Sequence, residues 1–367
     1  MMNVHSENKL HAALLIALLM VFVQGQGLAR QRIVGYYAAY KSTIPYDSVE
    51  YSNLTDIIVS SVYLDTDGSL QYKDPRIPFP QLVDSAHKAG VKVLISIGGG
   101  NATVNACFPI VTADSATRRI IIHSIVTFLD TNDYDGVDID WETPANAQQG
   151  DDLASLVREM RAKFNQVDPS WLITMAIPGW HIGAAFDYTD MDSYVDWYNV
   201  MCYDYMASWC YYAGHDSPLY ESPNDPNGAG SDSATIHYLI LRGIPRSKLV
   251  LGVPFYGDVF RARGLYKPGT FVGSTSYSEN MNYIASGWHY NWDSVSEVPY
   301  LISPDSTRFI SFEDTNSIKL KTEFAIREGL GGIMIWELSK DMYDGHQPLL
   351  EEIANTMRRL RQLEGKK

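Results

Sequence analysis

From Tyr134 to Glu142 the chain reads Tyr-Asp-Gly-Val-Asp-Ile-Asp-Trp-Glu, which sets three carboxylates at every second position of an apolar stretch. Side chains alternate between the faces of a β-strand, so Asp138, Asp140 and Glu142 share one face, and Val137, Ile139 and Trp141 the other. No ordinary core admits such a strand, because burying unpaired charges costs far more than Val and Ile return. The carboxylates have to share protons or line a cavity. Neighbours two apart on one strand are separated by roughly 6.5 to 7 Å at Cα. That is near enough for their ionisations to couple and for one acid to keep its proton near neutral pH beside a base, the arrangement acid–base catalysis needs. Two other readings stand beside it: a calcium loop, which wants oxygens on a flexible turn containing Gly, and a solvent-facing edge strand. The intervening Val137 and Ile139 weigh against the first and Trp141 against the second.

Around this segment, strand-like and helix-like runs alternate. Eight strands are expected at Ile33–Tyr37, Asp56–Leu64, Val91–Ile97, Gly136–Trp141, Leu172–Ile177, Trp197–Tyr203, Leu249–Pro254 and Gly332–Trp336. Helix-forming runs fall between several of them, at Pro80–Ala89, Ala116–Thr131, Asp151–Phe164, Ala234–Arg242 and Ser317–Glu328, with a closing helix over Leu349–Leu363. Repeated βα units with eight strands predict an α/β fold of the (β/α)8 TIM-barrel type, whose sites lie at the C-terminal strand ends. Glu142 falls there, after the fourth strand. The roughly seventy residues from Gly257 to Leu330 exceed what one helix needs, and predict a small insertion between the seventh and eighth strands. It is rich in aromatics (Tyr277, Tyr283, Trp288, Tyr290, Trp292, Tyr300) that either wall a cleft or pack the insertion onto the barrel. No fixed-period repeat and no linker leading to a second domain are apparent.

The 367 residues, 46% hydrophobic, suffice for one large core. Residues 1–29 read as a signal peptide: Lys9, an apolar run over Ala12–Val23, and a small-residue site at Gly27-Leu28-Ala29. A run of about twelve apolar residues is too short to span a bilayer, so a secreted protein with one catalytic domain over 30–367 is expected. Glu7 and Lys9 cancel, so the net charge stays at −14 without that segment. Such a surface argues against nucleic acid and anionic membranes as partners, and the chain is expected to act as a monomer. Secretion makes Asn53-Leu54-Thr55 and Asn101-Ala102-Thr103 candidate glycan sites. Cys107, Cys202 and Cys210 make no disulfide framework; Cys202 is expected to be a packed thiol, and a Cys107–Cys210 pairing stays open. No CxxC pattern or histidine cluster suggests a metal, and His181, His215, His289 and His346 read as structural or exposed. No cofactor is expected.

Asp135-Gly136-Val137-Asp138-Ile139-Asp140-Trp141-Glu142 resembles the DGxDxDWE signature of glycoside hydrolase family 18, the chitinases and their relatives. Further blocks follow in that family's order: Ser96-Ile97-Gly98-Gly99, Met201-Cys202-Tyr203-Asp204, Gly214-His215-Asp216-Ser217-Pro218-Leu219-Tyr220, Pro254-Phe255-Tyr256-Gly257 and Gly331-Gly332-Ile333-Met334-Ile335-Trp336-Glu337. The resemblance runs from about Ile33 to Asp341. It implies substrate assistance, in which the 2-acetamido oxygen of an N-acetylated sugar acts as internal nucleophile. On that resemblance Glu142 is the general acid and later the base. Asp140 holds the acetamide N–H, Asp138 shares a proton with it, and Tyr203 donates to the acetamide carbonyl. Asp204 binds nearby hydroxyls, Met201 belongs to the same substrate-binding segment, and Trp336 floors the sugar. Trp209 is either a stacking platform or loop packing. Tyr36 and Tyr256, at strand ends, contact either the acidic cluster or the sugar. Asp135 has the wrong parity and is given a structural role, and Ser96, Gly98 and Gly99 one of tight packing.

The chain also departs from that pattern. Asp258 stands where many relatives carry Arg, Gly100 where animal relatives often carry Trp, Ser60-Ser61-Val62-Tyr63 where a Phe is common, and Tyr40 where Trp is frequent. Losing stacking surfaces worth roughly 1–3 kcal/mol each would weaken binding of long chains and could shift preference toward shorter or softer substrates, so chain-length specificity stays open. Three functions compete: a secreted chitinase acting on β-1,4-linked N-acetylglucosamine, an endo-β-N-acetylglucosaminidase acting on N-glycans, and a non-catalytic, lectin-like chitin binder. The retained Glu142, Asp140 and Tyr203 count against the third, and the blocks at Gly214 and Met201 favour the first.

Overall fold

Each of eight parallel strands pairs with the next in sequence: β1 (Arg32–Ala38), β2 (Asp56–Leu64), β3 (Lys92–Gly98), β4 (Gly136–Asp140), β5 (Leu172–Pro178), β6 (Trp197–Met201), β7 (Leu249–Pro254) and β8 (Gly332–Trp336). β8 then pairs with β1, Arg32 beside Gly332, and the sheet closes into a ring. This computed structural model describes residues 31–364 apart from 41–43, 73, 101, 143 and 180–187. The signal-peptide segment 1–29, Asn101 of the second sequon and His181 therefore lie outside the described residues. All eight strands occur where the apolar runs place them, with ends shifted by one or two residues. Between Asn105 and Ser115 a short helix, Phe108–Ala113, is added.

Parity sorts the strands into two layers. Val34, Tyr36, Ile58, Leu94, Trp197, Val250 and Met334 point into the ring and form the inner core. Their neighbours Ile33, Ile57, Val93, Val137, Ile139, Ile173, Val200, Leu251 and Ile333 point outward under the helices. Both faces being buried explains why these strands read as continuous apolar runs rather than alternating ones. Each fully buried aliphatic side chain contributes roughly 1.5–3 kcal/mol of transfer free energy.

The outer layer holds α1 (Pro80–Lys88), α2 (Ser115–Asn132), α3 (Ala147–Val167), α4 (Asp232–Leu241), α5 (Thr315–Arg327) and α6 (Pro348–Glu364). Side chains start several of them: Asp114 accepts from Ala116 and Thr117 N–H at α2, Asn146 from Gln149 at α3, and Ser231 from Ala234 at α4. Asp314 and Ser317 form a reciprocal capping box at α5. No helix among the described residues is long and apolar enough to cross a membrane.

Between β7 and β8 the chain builds a five-stranded antiparallel sheet from Tyr256–Ala262, Gly269–Ser276, His289–Asp293, Val298–Ile302 and Phe309–Ser311, with a helix over Tyr277–Ala285. One face buries Val259, Leu301, Ile310 and Phe312 beneath Met281, Tyr283, Ile284 and Trp288. On the other face Phe260, Ala262 and Phe309 pack with Tyr300 and Phe271. Tyr283, Trp288 and Tyr300 are thus packing residues, and the insertion lends Phe271, Asp258 and Ser274 to the neighbouring cleft instead. Cys107, Cys202 and Cys210 are all free thiols, which answers the open pairing of Cys107 with Cys210; Cys202 is fully buried. Asn53 Nδ2 donates to Glu50 and its Oδ1 accepts from Arg358, so this sequon is engaged in side-chain bonds.

Candidate active site

Strand β4 carries the acidic face into the mouth of the ring. Asp138 and Asp140 pair with Ser96 and Gly98 of β3, and Asp138 with Thr174 of β5. Gly98 is required here: it has φ +120°, and a Cβ on it would lie 2.1 Å from the Asp140 carbonyl oxygen. Trp141, on the opposite face, stacks on Phe108 at 5.0 Å between ring centroids. Asp135 accepts from the Val93 N–H at 2.7 Å and bonds His87, the structural role its parity predicts.

Asp138 is fully buried, yet both of its oxygens are satisfied. Tyr36 Oη donates to Oδ2 at 2.7 Å, while Thr174 Oγ1 and Asn199 Nδ2 donate to Oδ1 at 2.5 and 3.0 Å. Asn199 is itself held by Trp197 Nε1 at 3.0 Å. Burial raises the Asp138 pKa and these three hydrogen bonds oppose it. Tyr36 therefore belongs to the acidic cluster, the first of its two expected contacts. Thr174, Asn199 and Trp197 were not singled out from sequence; the signal available was parity, a polar residue on the inward face of an apolar strand.

Asp140 is only 4% exposed, and its Oδ1 has no hydrogen-bond partner among the described residues. Its pKa is pushed well above the carboxylate range by burial, then by the charges of Glu142 and Asp138. Glu142 is raised to about 7, by burial first and the negative charge of Asp204 second. Three carboxylates thus differ in proton affinity through their surroundings: one held by three donors, one orphaned, one at the mouth.

These groups open into a cavity of about 610 Å³ whose lining includes Tyr36, Tyr40, Tyr63, Gly100, Asp140, Glu142, Met201, Tyr203, Asp204, Trp209 and Trp336. Trp209 is 60% exposed and Tyr40 50%, so both present ring surface to solvent at the rim. Tyr36 meets Trp336 edge-on at 5.3 Å. Burial and the nearby acids hold the Tyr203 phenol well above its ordinary pKa, so it remains a donor at all ordinary pH. Of the expected site residues only Asp138 and Tyr256 do not line this cavity. Asp138 sits beneath it, and Tyr256 lies to one side, its Oη donating to Asp204 Oδ1 at 2.6 Å. Tyr40, Ser61 and Tyr63, singled out from sequence only as departures from the family pattern, line the cavity too, and Ala176 and Pro178 add walls that the sequence motifs did not mark.

The family model for glycosyl hydrolases family 18 matches residues 32–341, nearly the whole described chain. The chain belongs to that family. Its curated relatives include Chitinase 1 of Aphanocladium album, 33% identical over 68% of this chain and 62% of the relative. Chitinase A1 of Niallia circulans is 34% identical over 68% of this chain and 41% of the relative. Endochitinase of Manduca sexta is 28% identical over 90% and 67%. The match thus spans less than two thirds of the first two relatives. Among solved structures, catalytic domain 2 of the Ostrinia furnacalis Group II chitinase superposes with a TM-score of 0.84 at 26% identity, covering 90% of this chain and 97% of that one. The Class V chitinase of Nicotiana tobaccum gives 0.82 at 22% identity, covering 89% and 99%, a likeness of fold alone. These family 18 structures share the closed (β/α)8 barrel described above.

Proposed function

We propose that this family 18 member is a secreted chitinase, hydrolysing β-1,4-linked N-acetylglucosamine by a retaining, substrate-assisted mechanism. The observation that carries the reading is the pairing of Glu142, raised to about 7, with a buried Asp140 whose Oδ1 has no donor among the described residues. A carboxyl near neutrality can give up a proton at working pH, and an orphaned buried acceptor is suited to the N–H of an acetamido group. The relatives named chitinases support the same reaction class. The Ostrinia furnacalis Group II domain, solved as a mutant in complex with penta-N-acetylchitooctaose (NAG)5, supports a substrate of the same kind.

In this mechanism the acetamido carbonyl oxygen forms a bond to C1 while the glycosidic C1–O bond breaks and Glu142 protonates the departing oxygen. Asp140 accepts the acetamide N–H and balances the positive charge of the resulting oxazolinium. Tyr203 donates to the acetamide oxygen and positions it. Water then attacks C1 while the bond from C1 to the acetamido oxygen breaks and the water gives its proton to Glu142; this second inversion at C1 restores the acetamide and the acid with overall retention. Asp138 acts through Asp140: the two share one proton, and as the oxazolinium forms Asp138 takes it up, so that Asp140 carries the balancing charge. Trp336 lies beneath the sugar at the cleavage point, and Trp209 and Tyr40 stack on flanking sugars. Secretion rests on residues 1–29 reading as a signal peptide, and the protein is taken to act as a monomer without a cofactor.

The test is release of a fluorophore from a β-chitotrioside by the purified protein, run beside Glu142→Gln and beside a high-mannose N-glycopeptide. Turnover of the chitotrioside by the unmodified protein alone is expected. Cleavage of the glycopeptide only would move the assignment to N-glycan processing. Oligosaccharide binding without any turnover would make the protein lectin-like.

A further inference from the structure

Beside the cavity, a second group of acids assembles from three separate segments. Asp204 follows β6, Asp216 lies in the loop after it, and Asp258 sits on the first strand of the antiparallel sheet. One carboxylate oxygen of each lies within 4.8 Å of the others. Asp216 and Asp258 are 1% and 2% exposed, and Asp216 Oδ2 and Asp258 Oδ2 receive no hydrogen bond among the described residues. The donors to Asp216 and Asp258 serve their other oxygens, and Tyr256 Oη donates to Asp204 Oδ1 at 2.6 Å. The Asp204 N–H reaches Asp216 Oδ1 at 2.7 Å, and Ser274 Oγ reaches Asp258 Oδ1 at 3.2 Å. Lys321, the buried ammonium whose charge acts on Asp216, is bonded to Ser217, Glu313 and Asp232 instead.

Three acids this close, two of them buried, are held together either by protons or by a cation. We propose that Asp204, Asp216 and Asp258 form a binding site for a hard divalent cation of calcium type. A ligand set made only of carboxylate oxygens selects calcium, magnesium or manganese over softer metals. Calcium bonds oxygen at about 2.3–2.6 Å in adaptable geometry with six to eight ligands, so its carboxylate oxygens can stand as far apart as the three here. Magnesium, at about 2.0–2.1 Å in a strict octahedron, asks for a tighter set. An open cleft of about 300 Å³ bordered by Asp204, Asp258, Tyr256 and Trp336 adjoins the group and would give an ion water ligands and a way in. The ion joins the loop after β6 to the antiparallel sheet at the edge of the cavity.

The experiment uses the full chain stripped of metal with EDTA and dialysed. Calcium chloride is titrated calorimetrically, and thermal unfolding is followed in millimolar calcium, magnesium, manganese or EDTA. One calcium per chain is expected, with a Tm several degrees above that in EDTA and a smaller rise in magnesium. Asp258→Asn, which keeps the size of the side chain and its contact with Ser274, is expected to weaken calcium binding at least tenfold and to abolish the rise. Terbium emission sensitised by Tyr256 and Trp336 and displaced by calcium tests the site without any variant. Absence of heat, Tm change and terbium emission in the unmodified protein would overturn the site. So would an equal calcium response in Asp258→Asn, or a variant more stable than the parent in calcium and EDTA alike, the signature of a cluster held by protons.

Discussion

Replacing Glu142 by Gln removes a proton and almost no volume, so the effect is chemical rather than structural. Turnover is expected to fall by at least about 10²–10⁴-fold while binding of a chitin oligosaccharide, measured by calorimetry, stays near that of the parent; hydrolysis near the parental rate would remove Glu142 from the role of acid. The pH dependence follows from the same residue. A general acid works only while protonated, and Glu142 is raised to about 7. The value of kcat/KM should therefore fall as pH rises above about 7, approaching tenfold per unit. Part of that elevation comes from the charge of Asp204. In EDTA, where no cation offsets the charge of Asp204, Asp204→Asn removes a negative charge and makes ionisation of Glu142 easier, so the alkaline limb should move to lower pH, whatever happens to KM. An unmoved limb would mean that burial alone sets the Glu142 proton.

At the scale of elements, the site depends on how closely β3 and β4 approach and on what the loops add above them. Gly98→Ala places a methyl group against the Asp140 carbonyl at a positive φ that alanine disfavours. A loss on the order of 2–4 kcal/mol is expected, read as a lower Tm, together with loss of turnover as β4 shifts. Trp209 lies on the loop after β6, and its side chain is mostly exposed. Trp209→Ala should weaken oligosaccharide binding by about 1–3 kcal/mol with Tm nearly unchanged. A stable variant with parental affinity would make Trp209 a loop-packing residue. The strands were legible as short continuous apolar runs, and the main helices as apolar runs of period 3.6 between them. The antiparallel sheet was legible only as excess length rich in aromatics. Its aromatic residues carry no mark of which face they take, so Tyr283 and Trp288 were equally readable as cleft wall and as packing.

Across the whole molecule, one buried cation ties together elements far apart in sequence. Lys321 on α5 meets Glu313 at 2.7 Å and Asp232, at the start of α4, at 3.0 Å, all three fully or almost fully buried, and it also reaches Ser217 in the loop after β6. Lys321→Met leaves two buried carboxylates without their partner and should cost roughly 3–5 kcal/mol, measured by denaturant unfolding; a smaller loss would mean that the acids take up protons instead. Nothing in the sequence announces this trio, since Lys321 reads as one more polar residue of an amphipathic helix. The sequence by itself determined the ring of eight strands and the chemistry of its fourth. Strand periodicity is local, and Asp138, Asp140 and Glu142 are bound to one face by covalent geometry alone. Only the tertiary structure decided how those acids differ. The donors that satisfy Asp138 come from β1, β5 and β6, and the charge that raises Glu142 comes from beyond β6. The aspartates of the proposed cation site meet from three segments. Proton affinity and ligand geometry depend on distances across the barrel, which no spacing along the chain specifies.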